Sequence, residues 1–259
     1  MLDILQELKK NFHVEAVKAE FEAEGTRSDE FLRLLELSRK AGLKVALKIG
    51  GAEAIRDLLE AQQFGVDYII APMVETPYAL SKYIAAINSS YEPSCASNTE
   101  FLFNLETGVT FDNFRNMLDV VKGSKTKLGV VFGRVDFTQS LGLSRAEINS
   151  ENITQYCLTV AKECKEQGFP LVVGGGVSSE SFEHLKAINE LRLDRFETRK
   201  VVFNSELLLT DNYHKALDLA VKFELLWLKN KQQYYARIAQ EDAKRIEMLA
   251  NRCSEIDHE

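Results

Sequence analysis

Residues 43–73, LKVALKIGGAEAIRDLLEAQQFGVDYIIAPM, read as strand, helix, strand. The flanking runs 43–50 and 67–73 are short and apolar, with the β-branched residues that a pleated surface favours. Between them AEAIRDLLEAQQFG repeats its apolar residues at helical spacing and stops at Gly65, a preferred helix end. Two strands separated by a helix of that length form a right-handed crossover, so the strands lie parallel.

The same alternation runs through most of the chain. Seven strand-like runs occur, at 14–22, 43–50, 67–73, 100–106, 127–137, 169–176 and 195–204. Helical segments lie between them, among them SDEFLRLLELSRKAG, PYALSKYIAAINSS, TFDNFRNMLDVVKG, a segment through about 146–168, and SSESFEHLKAINEL. Repeated βα units predict an α/β chain closed as a (β/α)8 TIM-type barrel over residues 1–210, with an irregular first strand hidden near residues 1–13. An open doubly wound sheet is the alternative. It is disfavoured because no GxGxxG fingerprint follows the first strand, and GGGVSS at 174–179 does not match one. That stretch reads either as an anion-binding turn at a helix N-terminus or as a tight turn that needs glycine.

Residues 211–259 read as a C-terminal helical extension. Its first half, with Leu217, Leu219, Val221, Phe223, Leu225, Leu226, Trp227 and Leu228, is apolar nearly all round. Such a helix is expected to be covered, by a partner subunit in a homo-oligomer or by the barrel's outer ring.

With 32 Lys and Arg against 39 Asp and Glu, the net charge of −7 excludes the electrostatic footprint of a nucleic-acid or anionic-membrane binder. The four cysteines are scattered with no CxxC, which predicts reduced thiols and no zinc site. The N-terminus lacks the layout of a secretory signal, and no apolar run is long enough to span a bilayer. A cytoplasmic protein with a small-molecule substrate is expected.

Strand parity then sorts the charges. Lys18, Glu20 and Glu22 share one face of the first strand, Lys44 and Lys48 one face of the second, Asn104 and Glu106 one face of the fourth, and Phe132, Arg134 and Asp136 one face of the fifth. These faces are expected to line the lumen, where unpaired charges would each cost several kcal/mol. Because barrel sites form where strands end, Glu22, Glu24, Lys48, Asn104, Glu106 and Asp136 are the candidates for chemistry. Lys18, Glu20 and Lys44 are expected to form a deeper ion network, and Glu197 and Arg199 a lumen salt bridge. Glu106 and Asp136, at successive strand ends, form an oxygen pair suited to Mg2+ or Mn2+.

Three stretches carry a further signal: FGVDYIIAPMVETPYAL (64–80), FLFNLET (101–107) and GRVDFTQSLGL (133–143). In their order and spacing they resemble the HpcH/HpaI aldolase and citrate lyase beta-subunit family of the phosphoenolpyruvate/pyruvate barrel superfamily. The resemblance implies a metal-dependent carbon-carbon lyase acting on a 2-oxo acid or related enolisable acid, with Mg2+ or Mn2+ held by Glu106 and Asp136. It implies substrate contacts from the backbone around Pro72, Met73 and Val74, from Gly133 in the loop before Asp136, and from Asn104, which stands where Gln is usual. Lys48 takes the place of an Arg that contacts the enolate oxygen. Gly25 falls where the aldolase branch carries its His base, which leaves Glu22 or Glu24 to move the proton directly or through water, or Arg134 and Lys48 to bind a substrate carboxylate or phosphate while a metal-bound water moves it. A CoA-ester lyase of citryl or malyl type acting on an acyl substrate, and a catalytically silent barrel used for binding or assembly, are the alternatives.

Overall fold

The computed structural model describes residues 1–256. The chain runs α1 (Leu2–Asn11), β1 (Val14–Glu20), α2 (Ser28–Ala41), β2 (Lys44–Lys48), α3 (Ile55–Phe64), β3 (Tyr68–Ala71), α4 (Pro77–Ser90), α5 (Pro93–Ala96), β4 (Glu100–Leu105) and α6 (Gly108–Lys122). It continues with β5 (Leu128–Gly133), α7 (Arg134–Ser140), α8 (Glu151–Gln167), β6 (Leu171–Gly174), α9 (Phe182–Leu191), β7 (Arg195–Glu197), β8 (Val201–Asn204) and α10 (Tyr213–Ile256). Single 3₁₀ turns occur at Arg145–Asn149, Ser179–Ser181 and Ser205–Leu209.

The eight strands close in sequence order into a barrel. Strands β1 to β7 pair in parallel, whereas β8 is antiparallel to both β7 and β1. This corrects the expectation of an irregular strand at the N-terminus. Residues 2–11 form α1, packed against α2 and α10, and the eighth strand comes from the run 195–204, which folds back at Thr198–Lys200. A turn of three residues is too short for a crossover, so the returning strand must be antiparallel.

The pleat sends Val17, Val45, Leu47, Ile69, Phe101, Phe103, Val130, Phe132 and Val173 outward into one large core beneath the helices. Inside the barrel, Ala16, Ala46, Tyr68, Ile70, Leu102, Val131, Val172 and Val202 form an apolar plug. Below the plug, at the N-terminal ends of the parallel strands, Arg195 pairs with Glu100, and Lys44 donates to Tyr68 Oη at 2.8 Å. Lys44 therefore belongs to the floor rather than to the Lys18 network. Above the plug lies the mouth.

Helix α10 begins on the barrel wall, with Ala216, Ala220, Phe223 and Trp227 buried at helical spacing. Lys231 and the Tyr235 hydroxyl then tie it to Glu30 at 3.6 and 2.7 Å. Of the apolar residues in its first half, Leu217, Phe223 and Trp227 face the barrel, whereas Val221, Leu225 and Leu228 are exposed. The last three residues of the extension, 257–259, lie outside the described residues. No helix among the described residues is long and apolar enough to cross a membrane.

Candidate active site

Glu106 follows the last residue of β4 and is 1% exposed. Its Oε1 accepts from Met73 N–H at 2.8 Å, and its Oε2 accepts from Asn104 Nδ2 at 2.6 Å. Lys48 Nζ, at the end of β2, lies 3.5 Å from the same Oε2. Strand β5 makes room for this carboxylate, since a Cβ at Gly133 would stand 3.3 Å from Oε2 and 3.0 Å from Glu106 Cβ. Met73 holds a positive φ of 50°, uncommon for a residue with a side chain, and this turn aims its N–H at Glu106. Pro72 and Val74 on either side are buried, so Met73 alone of the three is exposed.

Asn104 is buried, and its Nδ2 is fixed by Glu106, because flipping the amide would set oxygen against oxygen. Its Oδ1 is a buried acceptor with no donor. A buried acceptor without a donor is uncommon in a folded protein.

Lys48 is shared. It also lies 3.3 Å from Glu22 Oε2 in the loop after β1, where the Glu22 side chain keeps 31% exposure. Glu24, two residues on, is held differently: Oε1 accepts from Arg199 Nε at 3.1 Å, and Oε2 accepts from Lys200 Nζ and, at 3.4 Å, from Thr26 Oγ1. Arg199 and Lys200 come from the β7–β8 turn, so Glu24 clamps that turn to the β1 loop. Lys200 lies within the strand-like run 195–204, where parity does not single it out. Its location follows from the hairpin, which the sequence does not announce.

Deeper in the lumen, Lys18 pairs with Glu197 and, at 3.4 Å, with Glu20. Arg199 reaches Glu20 at 3.7 Å and does not bridge Glu197, which corrects the expected pairing. Burial opposes both charges of the Lys18–Glu20 pair. Glu197 and Glu20 nonetheless hold the Lys18 ammonium above its usual value, and Lys18, Arg199 and Lys48 hold Glu20 below the usual carboxylate range.

On β5 the expected parity fails. Phe132 faces the outer core, and Val131 points inward. The strand ends at Gly133 and α7 starts at the next residue, so Arg134 leaves the lumen-facing register. It is 1% exposed, with Nε 3.3 Å from Gly174 O, Nη1 2.9 Å from Asn149 Oδ1 and Nη2 3.2 Å from Ser181 Oγ. Burial lowers its pKa, and no carboxylate among the described residues pairs with it. Arg134 thus sits beneath the rim, tying α7 to the end of β6. Gly175 serves this packing: a Cβ there would stand 2.6 Å from Val135 N and 2.7 Å from Arg134 N. Its neighbours make room elsewhere, Gly174 for Glu197 and Gly176 for Ile148, so close packing accounts for all three glycines.

Asp136 occupies the first turn of α7 and is exposed, with no ion pair or side-chain hydrogen bond among the described residues. No group of three or more His, Cys, Asp and Glu side chains among the described residues is placed to hold a metal ion. Gly25, where the resemblance puts a His, has φ 55° and open space around a Cβ.

The family model of the HpcH/HpaI aldolases and citrate lyases matches residues 25–175, more than half of the chain. The chain belongs to the HpcH/HpaI aldolase/citrate lyase family. Solved structures with a similar fold include an HpcH/HpaI aldolase from Desulfitobacterium hafniense DCB-2, with TM-score 0.60, 11% identity, and coverage of 76% of this chain and 82% of that one. An HpcH/HpaI aldolase/citrate lyase family protein from Burkholderia cenocepacia J2315 gives TM-score 0.59 at 12% identity, over 84% and 90% of the two chains. A variant of the citrate synthase SbnG gives 0.55 at 12%, over 88% and 90%. No curated protein matches by sequence. At these identities the structural likeness shows the barrel fold alone.

Proposed function

We propose that this protein is a metal-dependent carbon-carbon lyase of the aldolase type, which forms or consumes the enolate of a 2-oxo acid or related enolisable acid at the barrel mouth. The observation that carries the reading is the line Glu22, Lys48, Glu106: one ammonium 3.3 Å from an accessible carboxylate and 3.5 Å from a buried one.

The chemistry of these donors supports a hard divalent ion. Glu106 is oriented by two N–H donors, the support that ligating carboxylates usually receive from a surrounding shell. Asn104 Oδ1 is an orphaned acceptor, and Asp136, in the first turn of α7, is an exposed carboxylate with no ion pair among the described residues. Two carboxylates with the remaining ligands from substrate and water is a common way to bind Mg2+. Glu106 and Asp136 would hold Mg2+ or Mn2+, which when bound supplies Lewis-acid stabilisation of the enolate charge.

The chain's own residues do the rest. Lys48 offers its ammonium to the oxygen that becomes negative, as a point charge without the fork of an arginine. Met73 N–H and Asn104 keep Glu106 from rotating. The exposed stripe Val221, Leu225 and Leu228 supports a homo-oligomer assembled through the C-terminal helix. The test is hydrogen exchange at the methyl group of pyruvate in D2O, followed by proton NMR with Mg2+ present. Deuterium incorporation above the protein-free rate is expected; its absence with either Mg2+ or Mn2+ sinks the reading.

A further inference from the structure

We propose that Glu22 is the residue that moves the proton, and that Glu24 is a strut. This rests on the enolate reading above and names the group which that reading leaves open.

The two carboxylates sit two residues apart on the same loop, yet their surroundings differ in kind. Glu24 is 10% exposed and both of its oxygens are occupied, by Arg199 Nε on one side and by Lys200 Nζ with Thr26 Oγ1 on the other. One of those partners, Lys200, is a cation only 2% exposed, held by Glu24 at the closest contact. A carboxylate with both oxygens occupied is badly placed to reach a hydrogen on carbon. Its contacts instead fasten the β7–β8 turn to the β1 loop.

Among the described residues Glu22 has one partner, Lys48, through Oε2, and its Oε1 has none, while its side chain reaches solvent. Of the other acids, Glu20 is held by Lys18 and Arg199, Glu197 by Lys18, and Glu106 by Met73, Asn104 and Lys48, while Asp136 is the exposed carboxylate assigned above to the metal ion. Glu22 is therefore the accessible carboxylate adjoining the one ammonium that also touches Glu106.

The shared ammonium sets the geometry of the step. Lys48 stands between Glu106 and Glu22, so a keto oxygen held by Lys48 brings the neighbouring carbon towards Glu22. Its carboxylate then takes a proton from the carbon next to the carbonyl. The C–H electron pair forms the C=C bond, the carbonyl π pair moves onto oxygen, and the resulting enolate charge faces Lys48. In the reverse direction the same proton returns to carbon, so no other reactant is needed.

The experiment is pyruvate methyl exchange in D2O with the full-length Mg2+-loaded protein, read alongside Tm and the pyruvate concentration giving half-maximal rate. Glu22→Gln is expected to slow exchange by about 100-fold or more, with the half-saturating concentration within threefold and Tm unchanged. Glu22→Asp is expected to recover part of the rate. Glu24→Gln is expected to act on Tm. Exchange in Glu22→Gln within threefold of wild type overturns the assignment and leaves the enolate reading standing. So does a Glu24→Gln protein that keeps its Tm and loses exchange. Should Glu24→Gln not fold, the strut is supported and the two Glu22 variants decide the rest. No exchange by the wild type overturns both proposals together.

Discussion

Lys48 Nζ lies 3.5 Å from Glu106 Oε2, across the mouth from β2 to β4, and both side chains are withdrawn from water. A buried carboxylate with a single nearby cation depends on that cation. Replacing Lys48 by Met is expected to lower kcat by about 10²–10³, the range for losing one preorganised donor to a developing oxyanion. The stability loss should stay below the ~3–5 kcal/mol typical of a broken buried pair, because Met73 N–H and Asn104 still hold Glu106. Steady-state kinetics and urea denaturation measure the two effects; full activity in Lys48→Met would remove it from the mechanism.

Asp136 is exposed and makes no side-chain hydrogen bond or ion pair among the described residues, so Asp136→Ala should change stability by no more than about 0.5 kcal/mol. Its Mn2+ affinity should fall more than about 100-fold, beyond what losing an outer-shell partner does. Titration calorimetry with Mn2+ checks this, and unchanged affinity would take Asp136 out of the metal site.

Glu20 is held below the usual carboxylate range despite its burial, by Lys18, Arg199 and Lys48. Its folded-state pKa lies below its unfolded value, so the stability it contributes is complete above about pH 4.5 and is lost as pH falls through the folded-state value. Tm should therefore decline on acidification below that point. Glu20→Gln should start from a lower Tm at neutral pH and decline less steeply, as scanning calorimetry across pH 3–7 would show.

Cys157 and Cys164 are buried, and burial pushes both thiols up to about 12, whereas Cys95 and Cys253 are exposed. A disulfide reagent at pH 8 should titrate two thiols quickly in the native protein and four in denaturant. Four fast thiols in the native state would show that α8 opens readily.

Val221, Leu225 and Leu228 form an exposed stripe on α10, separate from the Phe223 and Trp227 face that packs on the barrel. The double variant Leu225→Glu, Leu228→Glu is expected to shift light-scattering mass to a smaller species with little change in Tm. An unchanged mass would discard α10 as the contact between subunits.

Parity located Lys48, Asn104 and Glu106 because β2 and β4 are regular up to the residues that matter. It misplaced Arg134 because alternation carries no information about where a strand stops, and here α7 begins without a linker after Gly133. What draws Arg134 under the rim is the approach of Gly175 and the acceptors on Asn149 and Ser181, none of which is local in sequence. The eighth strand escaped for a related reason. Its turn is Thr198, Arg199, Lys200, with no Gly, Pro or Asn to mark it, so a hairpin reads as one strand. The difference between Glu22 and Glu24 depends on which of them meets that hairpin.

The reversed β8 also governs how the cylinder can assemble. Strands β1 to β7 each join a neighbour close in the chain, and β8 folds locally onto β7, but the remaining seam pairs Val14 and Ala16 with Phe203 and Val202. Bringing such distant partners together carries a loop-closure entropy of roughly 4–5 kcal/mol on the (3/2)RT ln n scale. That seam should zip last, with α1 and α10 meeting across it as a latch. In amide exchange the β1–β8 edge is then the place to look for the earliest opening.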